Sequence, residues 1–121
     1  TQSRSSAASD VYKRQHWVRA KGADTFCPLG PWMVTHFSIA EASHRQIVTR
    51  LDGREVQHGN TDQMVHTIPK LISYISSFMT LLPGDVILTG TPAGVGPMEL
   101  GQRVEVEIEG IGTLTNTVVE V

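Results

Sequence analysis

What this 121-residue chain has little of narrows its possibilities before any motif is considered. It holds one cysteine, Cys27, so no internal disulfide can form, and such sparing use suits a reducing compartment. No apolar run approaches the ~20 residues needed to span a bilayer, and the polar N-terminus lacks the apolar stretch of a signal peptide. Neither sign of charge dominates. Ten Lys and Arg stand against twelve Asp and Glu, a net charge of -2 that offers no footprint for a polyanion. A cytoplasmic protein with no nucleic-acid and no membrane partner is expected. With 40% apolar residues the chain has the means to bury a core, and its length allows one domain.

Signatures of catalysis are scarce too. His16, His36, His44, His58 and His66 are scattered, with no His-Glu-x-x-His and no second cysteine, so they read as surface or pocket-rim residues rather than zinc ligands. No Gly-x-Ser-x-Gly elbow is present, and Cys27, followed by Pro28, reads as a small buried residue. "GTPAGVG" has the spacing of neither a P-loop nor a dinucleotide-binding turn. Glu105 and Glu107, at i and i+2 on a strand, could share a face and grip a hard cation. Glu109 continues the series while Val104, Val106 and Ile108 take the other side, which describes a half-solvated strand instead.

The elements that are present form a β-rich α+β pattern. Residues 1–15, "TQSRSSAASDVYKRQ", are Ser-rich and aperiodic, and they read as a disordered or non-native leader. From Trp17 to Thr35, Pro28 and Pro31 exclude helix and predict strand, loop, strand. Asp52-Gly53 predicts a type I′ hairpin over roughly residues 45–57. One main helix is predicted from Thr67, a candidate cap, with Pro69 in its first turn and Pro83-Gly84 as its stop. Its apolar face would carry Leu71, Ile72, Ile75, Phe78 and Met79. A shorter helical turn could precede it at "NTDQMVHT", and "DVILTG", "RVEVEIEG" and "TLTNTVVEV" all read as strand.

Two features suggest a pocket. Lys21, between Ala20 and Gly22 in an apolar, Pro-rich stretch, is costly to bury unless an anion meets it, although a snorkelling surface lysine explains it equally well. The apolar run Val86 to Leu88 ends in Thr89, Gly90 and Thr91, where hydroxyls, bare backbone and exposed N–H groups suit a carboxylate.

Three stretches in register, "AKGADTFCPLGPW", "ISSFMTLLPGDVILTGTPAGVGP" and "GQRVEVEIEGIGTLTN", resemble the C-terminal part of the fumarylacetoacetate hydrolase family catalytic domain. The similarity covers residues 16–121 and is greatest to the bacterial branch of acylpyruvate hydrolases and 2-hydroxyhepta-2,4-diene-1,7-dioate isomerases. The resemblance implies a mixed β-roll with few helices, a homodimer when full length, and a Mg²⁺ or Mn²⁺ ion held by a Glu-x-Glu pair and an aspartate. The substrate would be a 2-keto or 2-enol acid passing through a metal-stabilised enolate, in hydrolysis, isomerisation or decarboxylation. Residue by residue, Lys21 matches the active-site lysine and Thr91 the threonine that hydrogen-bonds the substrate carboxylate, with Gly90 giving it room. Thr25 stands where some relatives have a threonine near a second, structural ion.

The family's metal ligands and its His/Glu dyad lie upstream of the lysine motif, so none is assigned here. The chain is expected to be a domain truncated at its N-terminal side, inactive alone and prone to self-association. The rival reading is a non-catalytic β-rich interaction domain. An enzyme pocket would turn Lys21 and Thr91 towards one cavity, whereas an interaction module has no reason to.

Overall fold

A computed structural model describes residues 22 and 24–120 of the chain. Lys21 and the leader lie outside these described residues. The architecture is α+β with few helices. A short helix α1 (Ile39–Ala42) leads into strands β1 (Gln46–Leu51) and β2 (Arg54–Asn60). A 3-10 turn (Thr61–Gln63), helix α2 (Ile68–Ser76) and a long irregular stretch follow, before β3 (Arg103–Ile108) and β4 (Gly112–Thr117). The four strands form one antiparallel sheet in the order β2-β1-β3-β4.

Local chemistry explains where the sheet turns. Asp52 and Gly53 both take positive φ, +51° and +79°, as a type I′ turn requires. The Asp52 carboxylate accepts from the Arg103 N–H at 2.8 Å, and the Asp52 N–H donates to the Arg103 carbonyl at 2.8 Å, so the turn is tied to the start of β3. Register then separates two faces. Ile47, Thr49 and Leu51 share one with Val104, Val106, Ile108 and Leu114. Val48 and Arg50 share the other with Glu105, Glu107 and the β4 threonines. Glu105 and Glu107 thus share the face opposite Val104, Val106 and Ile108. They are half-buried just as those residues are, so the expected division into a solvent side and a covered side is not seen. On their face Arg50 pairs with Glu107 at 2.6 Å and Arg103 with Glu105 at 3.3 Å.

Several sequence expectations give way. Helix α2 starts where predicted, with Pro69 in its first turn, but the Thr67 side chain makes no capping bond and the helix stops at Ser76. Ser76 and Ser77 bond back to the carbonyls of Ser73 and Tyr74, at 3.1 and 2.7 Å, and such competition weakens a helix end well before Pro83. Phe78 and Met79 consequently lie past the helix. The segment 85–90 is no strand: it has no ladder partner among the described residues, and Val86 and Leu88 are exposed. Residues 24–38 likewise contain no strand, although no helix forms there before Ile39 either. Cys27 is exposed, not buried, because the loop carrying it lies on the surface.

Burial is uneven. Val118 is the one buried apolar side chain among the described residues, whereas Ile72, Tyr74, Phe78 and Leu82 all stand exposed.

Candidate functional site

The loop that carries Gly90 and Thr91 is fastened to the edge strand β2. The side-chain amide of Gln57 donates to the Thr91 hydroxyl oxygen at 2.9 Å and to the Pro92 carbonyl at 2.8 Å. Two close backbone approaches add to this tether. A Cβ at Gly59 would lie 3.1 Å from that of Pro92, and one at Gly94, whose φ is +101°, would overlap the Val56 carbonyl oxygen. Val56 is the extra residue of a β-bulge, since the register shifts between Thr49, opposite Gln57, and Arg50, opposite Glu55. Gly90 itself has φ +100° with open space around it, so glycine serves the backbone conformation there rather than a close approach. Thr91 is exposed.

At the opposite edge, the "CPLGPW" segment lies over β4. The Trp32 indole N–H donates to the Ile111 carbonyl at 2.7 Å, and its ring packs at Gly112. A Cβ on Gly30 would sit 3.7 Å from Leu114 Cδ1. Phe37 packs under Gly110, with the Arg45 guanidinium 4.1 Å from its ring centre.

These two attachments fall on one line. Leu114 faces Val106, and Thr49 is paired with both Val106 and Gln57, so the four make a single row across the sheet on one face. The row spans three strand spacings, about 14 Å. Thr91 and Pro92 stand over one end and Gly30 over the other. Between them Thr49 and Val106 are only half-buried, a floor open to contact. The fold therefore brings Gly30 and Thr91 to one face of the sheet. Two further depressions lie elsewhere: about 520 Å³ beside Arg50 and Glu107 on the charged face, and about 210 Å³ between His44 and Thr67. Neither is lined by Gly90 or Thr91.

Other candidates are less productive. His36, His44, His58 and His66 are exposed, and among the described residues no three His, Cys, Asp or Glu side chains come together to hold a metal. Thr25 takes φ +66°, a conformation that costs a β-branched residue roughly 1–2 kcal/mol, beside no described metal-binding cluster. Sequence reasoning missed Gln57. No pattern singled it out, since the face it shares with Thr49 carries Arg54 and Asn116 as well as Val104, Val106 and Ile108.

Comparison with known proteins settles the kinship. Residues 3–119 match the sequence model described as "Fumarylacetoacetate (FAA) hydrolase C-terminal". The chain belongs to the fumarylacetoacetate hydrolase family. The 2-hydroxyhepta-2,4-diene-1,7-dioate isomerase structure from Mycobacterium marinum superposes with a TM-score of 0.81 at 54% identity, over 86% of this chain and 40% of that one. A maleylpyruvate hydrolase from Sphingobium sp. SYK-6, solved in complex with manganese (II) ion and pyruvate, gives 0.75 at 40% identity, over 79% of this chain and 36% of that one. Human mitochondrial oxaloacetate tautomerase FAHD2A is 46% identical over 112 residues, 87% of this chain and 36% of that protein. The chain thus spans about two-fifths of the length of such relatives. No described helix is long and apolar enough to cross a membrane.

Proposed function

We propose that this chain supplies the carboxylate-holding part of an enzyme that acts on 2-keto or 2-enol acids. The observation that carries the reading is the tethered Thr91, held over one end of the half-open row whose other end lies under the "GPW" segment. Thr91 would donate its hydroxyl proton to the substrate carboxylate, and the exposed backbone after Gly90 leaves space for it. Lys21, which lies outside the described residues, would meet the oxyanion that develops at the adjacent oxygen. Hydrolysis, isomerisation, decarboxylation and keto–enol tautomerisation all share that enolate, which accounts for relatives with different names having one scaffold.

A divalent ion, Mg²⁺ or Mn²⁺, would act as Lewis acid in the complete site. The manganese and pyruvate bound to the Sphingobium relative support this part of the reading. The resemblance puts the family's metal ligands upstream of the lysine motif, so the role proposed for this chain is to hold substrate rather than metal. A homodimer in the cytoplasm remains part of the proposal, on the family resemblance alone.

The test is steady-state turnover. The longest polypeptide encoded by the reading frame that carries this chain is assayed with acylpyruvates and oxaloacetate in Mg²⁺, with and without Lys21→Ala. Metal-dependent turnover that falls by orders of magnitude in K21A is expected. A protein inert towards every keto acid tried would return the chain to the interaction-domain reading.

A further inference from the structure

The described residues place a second side chain behind the proposed carboxylate contact, and its chemistry fixes which way that contact points. Gln57 reaches from β2 with one group to two oxygens, Thr91 Oγ1 at 2.9 Å and the Pro92 carbonyl at 2.8 Å. A backbone carbonyl can only accept, so the Gln57 group beside it must be the NH₂ end of the amide. That NH₂ has two hydrogens. One goes to Pro92, which leaves the other for Thr91. The Thr91 oxygen is therefore an acceptor from Gln57, and its own hydrogen remains free to be donated elsewhere.

We infer that Gln57 is a positioning residue: by donating to Thr91 Oγ1 it aims the threonine O–H at the substrate carboxylate and anchors the loop that carries it. This rests on the reading of Thr91 as the carboxylate contact. A hydroxyl rotor would otherwise settle its hydrogen on any nearby acceptor and present lone pairs to an anion. Held by Gln57, it meets the carboxylate already oriented, as preorganised donors do. The glycines reinforce the anchor, since Gly94 against the Val56 carbonyl and Gly59 against Pro92 let the loop lie close enough for the amide to reach.

The polarity of the pair makes the role testable. Gln57→Glu keeps shape and length but replaces the NH₂ with an acceptor, so the Thr91 hydroxyl would donate backwards and turn its lone pairs on the substrate. Gln57→Leu removes the donor without reversing it. In the longest polypeptide of the reading frame, Thr91→Val is expected to raise the keto-acid KM by about tenfold or more, as loss of a hydrogen bond to a charged group does. Q57E is expected to match T91V, Q57L to fall between T91V and the unsubstituted protein, and kcat to change much less than KM in each, because the carboxylate is held in ground and transition states alike. The Q57E defect should shrink as pH falls into the range where the introduced carboxyl gains a proton and can donate again. A purely structural defect has no reason to follow that profile.

The roles of Thr91 and Gln57 are separable. An unimpaired T91V overturns Thr91 as the carboxylate contact, and the role of Gln57 with it. An impaired T91V beside a Q57E of ordinary KM overturns the role of Gln57 alone. Should the Gln57 variants not fold, the side-chain amide protons of Gln57 in the unsubstituted protein and in T91V decide the matter by NMR. One of the two is expected to move upfield in T91V while the other, bonded to Pro92, stays. A pair unmoved by T91V would contradict the tether.

Discussion

Between Gln46 and Asn60, and again between Arg103 and Thr117, every strand has a hydrogen-bonded neighbour. Between Val65 and Leu100 no segment joins the sheet as a strand, and the bonds of α2 and of the turn at Leu82 to Asp85 are local. Helix α2 there keeps its apolar stripe exposed at Ile72, and Phe78, Leu82, Val86 and Leu88 stand in solvent one after another. The contrast lies in where the partners are. The sheet finds its own within the described residues, whereas most of the intervening stretch makes contacts only locally. One exception matters: the loop from Thr91 to Gly94 is drawn onto the sheet by Gln57, Gly59 and Gly94, and it is the loop that bears the candidate substrate contact. An otherwise loosely held stretch is fixed where the proposed function needs fixing.

The way to break this exception most severely is Gly94→Ala. The new methyl would meet the Val56 carbonyl oxygen at a backbone φ of +101°, and strain of this kind costs about 1–3 kcal/mol. The loop is expected to lift from β2 and keto-acid KM to rise at least as far as in T91V, while the circular dichroism of the sheet persists. Next comes Gly53→Val, which acts on the sheet side. A β-branched residue at φ +79° is expected to cost about 1–2 kcal/mol, read as a lower midpoint in urea. Ile72→Asp sharpens the contrast from the other side. Placed on an exposed apolar stripe, it is expected to leave the unfolding midpoint nearly unchanged and to reduce self-association in sedimentation velocity.

The smallest effect concerns α1. Ser38 donates to the Glu41 carboxylate from its hydroxyl at 2.7 Å and its backbone N–H at 2.9 Å, and these bonds hold the Glu41 pKa below 4.5. The folded state thus binds its proton less readily than the unfolded one. Stabilisation from this pair is present above pH 4.5 and disappears as pH falls through the lowered native value. Ser38→Ala should return the Glu41 titration, followed by carbon NMR, towards the ordinary glutamate range.

What could be read from the sequence follows the same division. The Asp52-Gly53 turn, the start of α2 at Pro69 and the strand β3 are local signals, and each survives in the fold, although burial along β3 does not alternate. The capping box Ser38-x-x-Glu41 was equally local and was overlooked. The end of α2 was misplaced because two serine hydroxyls compete for carbonyls well before the proline. The run Val86 to Leu88 looked like a buried strand, but apolar composition alone cannot provide a ladder partner. Thr91 stands out as a candidate through its motif. Gln57 does not, because its partner lies 34 residues away and only the register of the sheet brings the two together.

The most direct measurement is a crystal structure of the longest polypeptide of the reading frame with pyruvate and Mg²⁺. The pyruvate carboxylate is expected within about 2.5–3.0 Å of Thr91 Oγ1, with Gln57 still donating to that oxygen from behind. Pyruvate seated beside Arg50 on the charged face, or away from Thr91 altogether, would contradict the account.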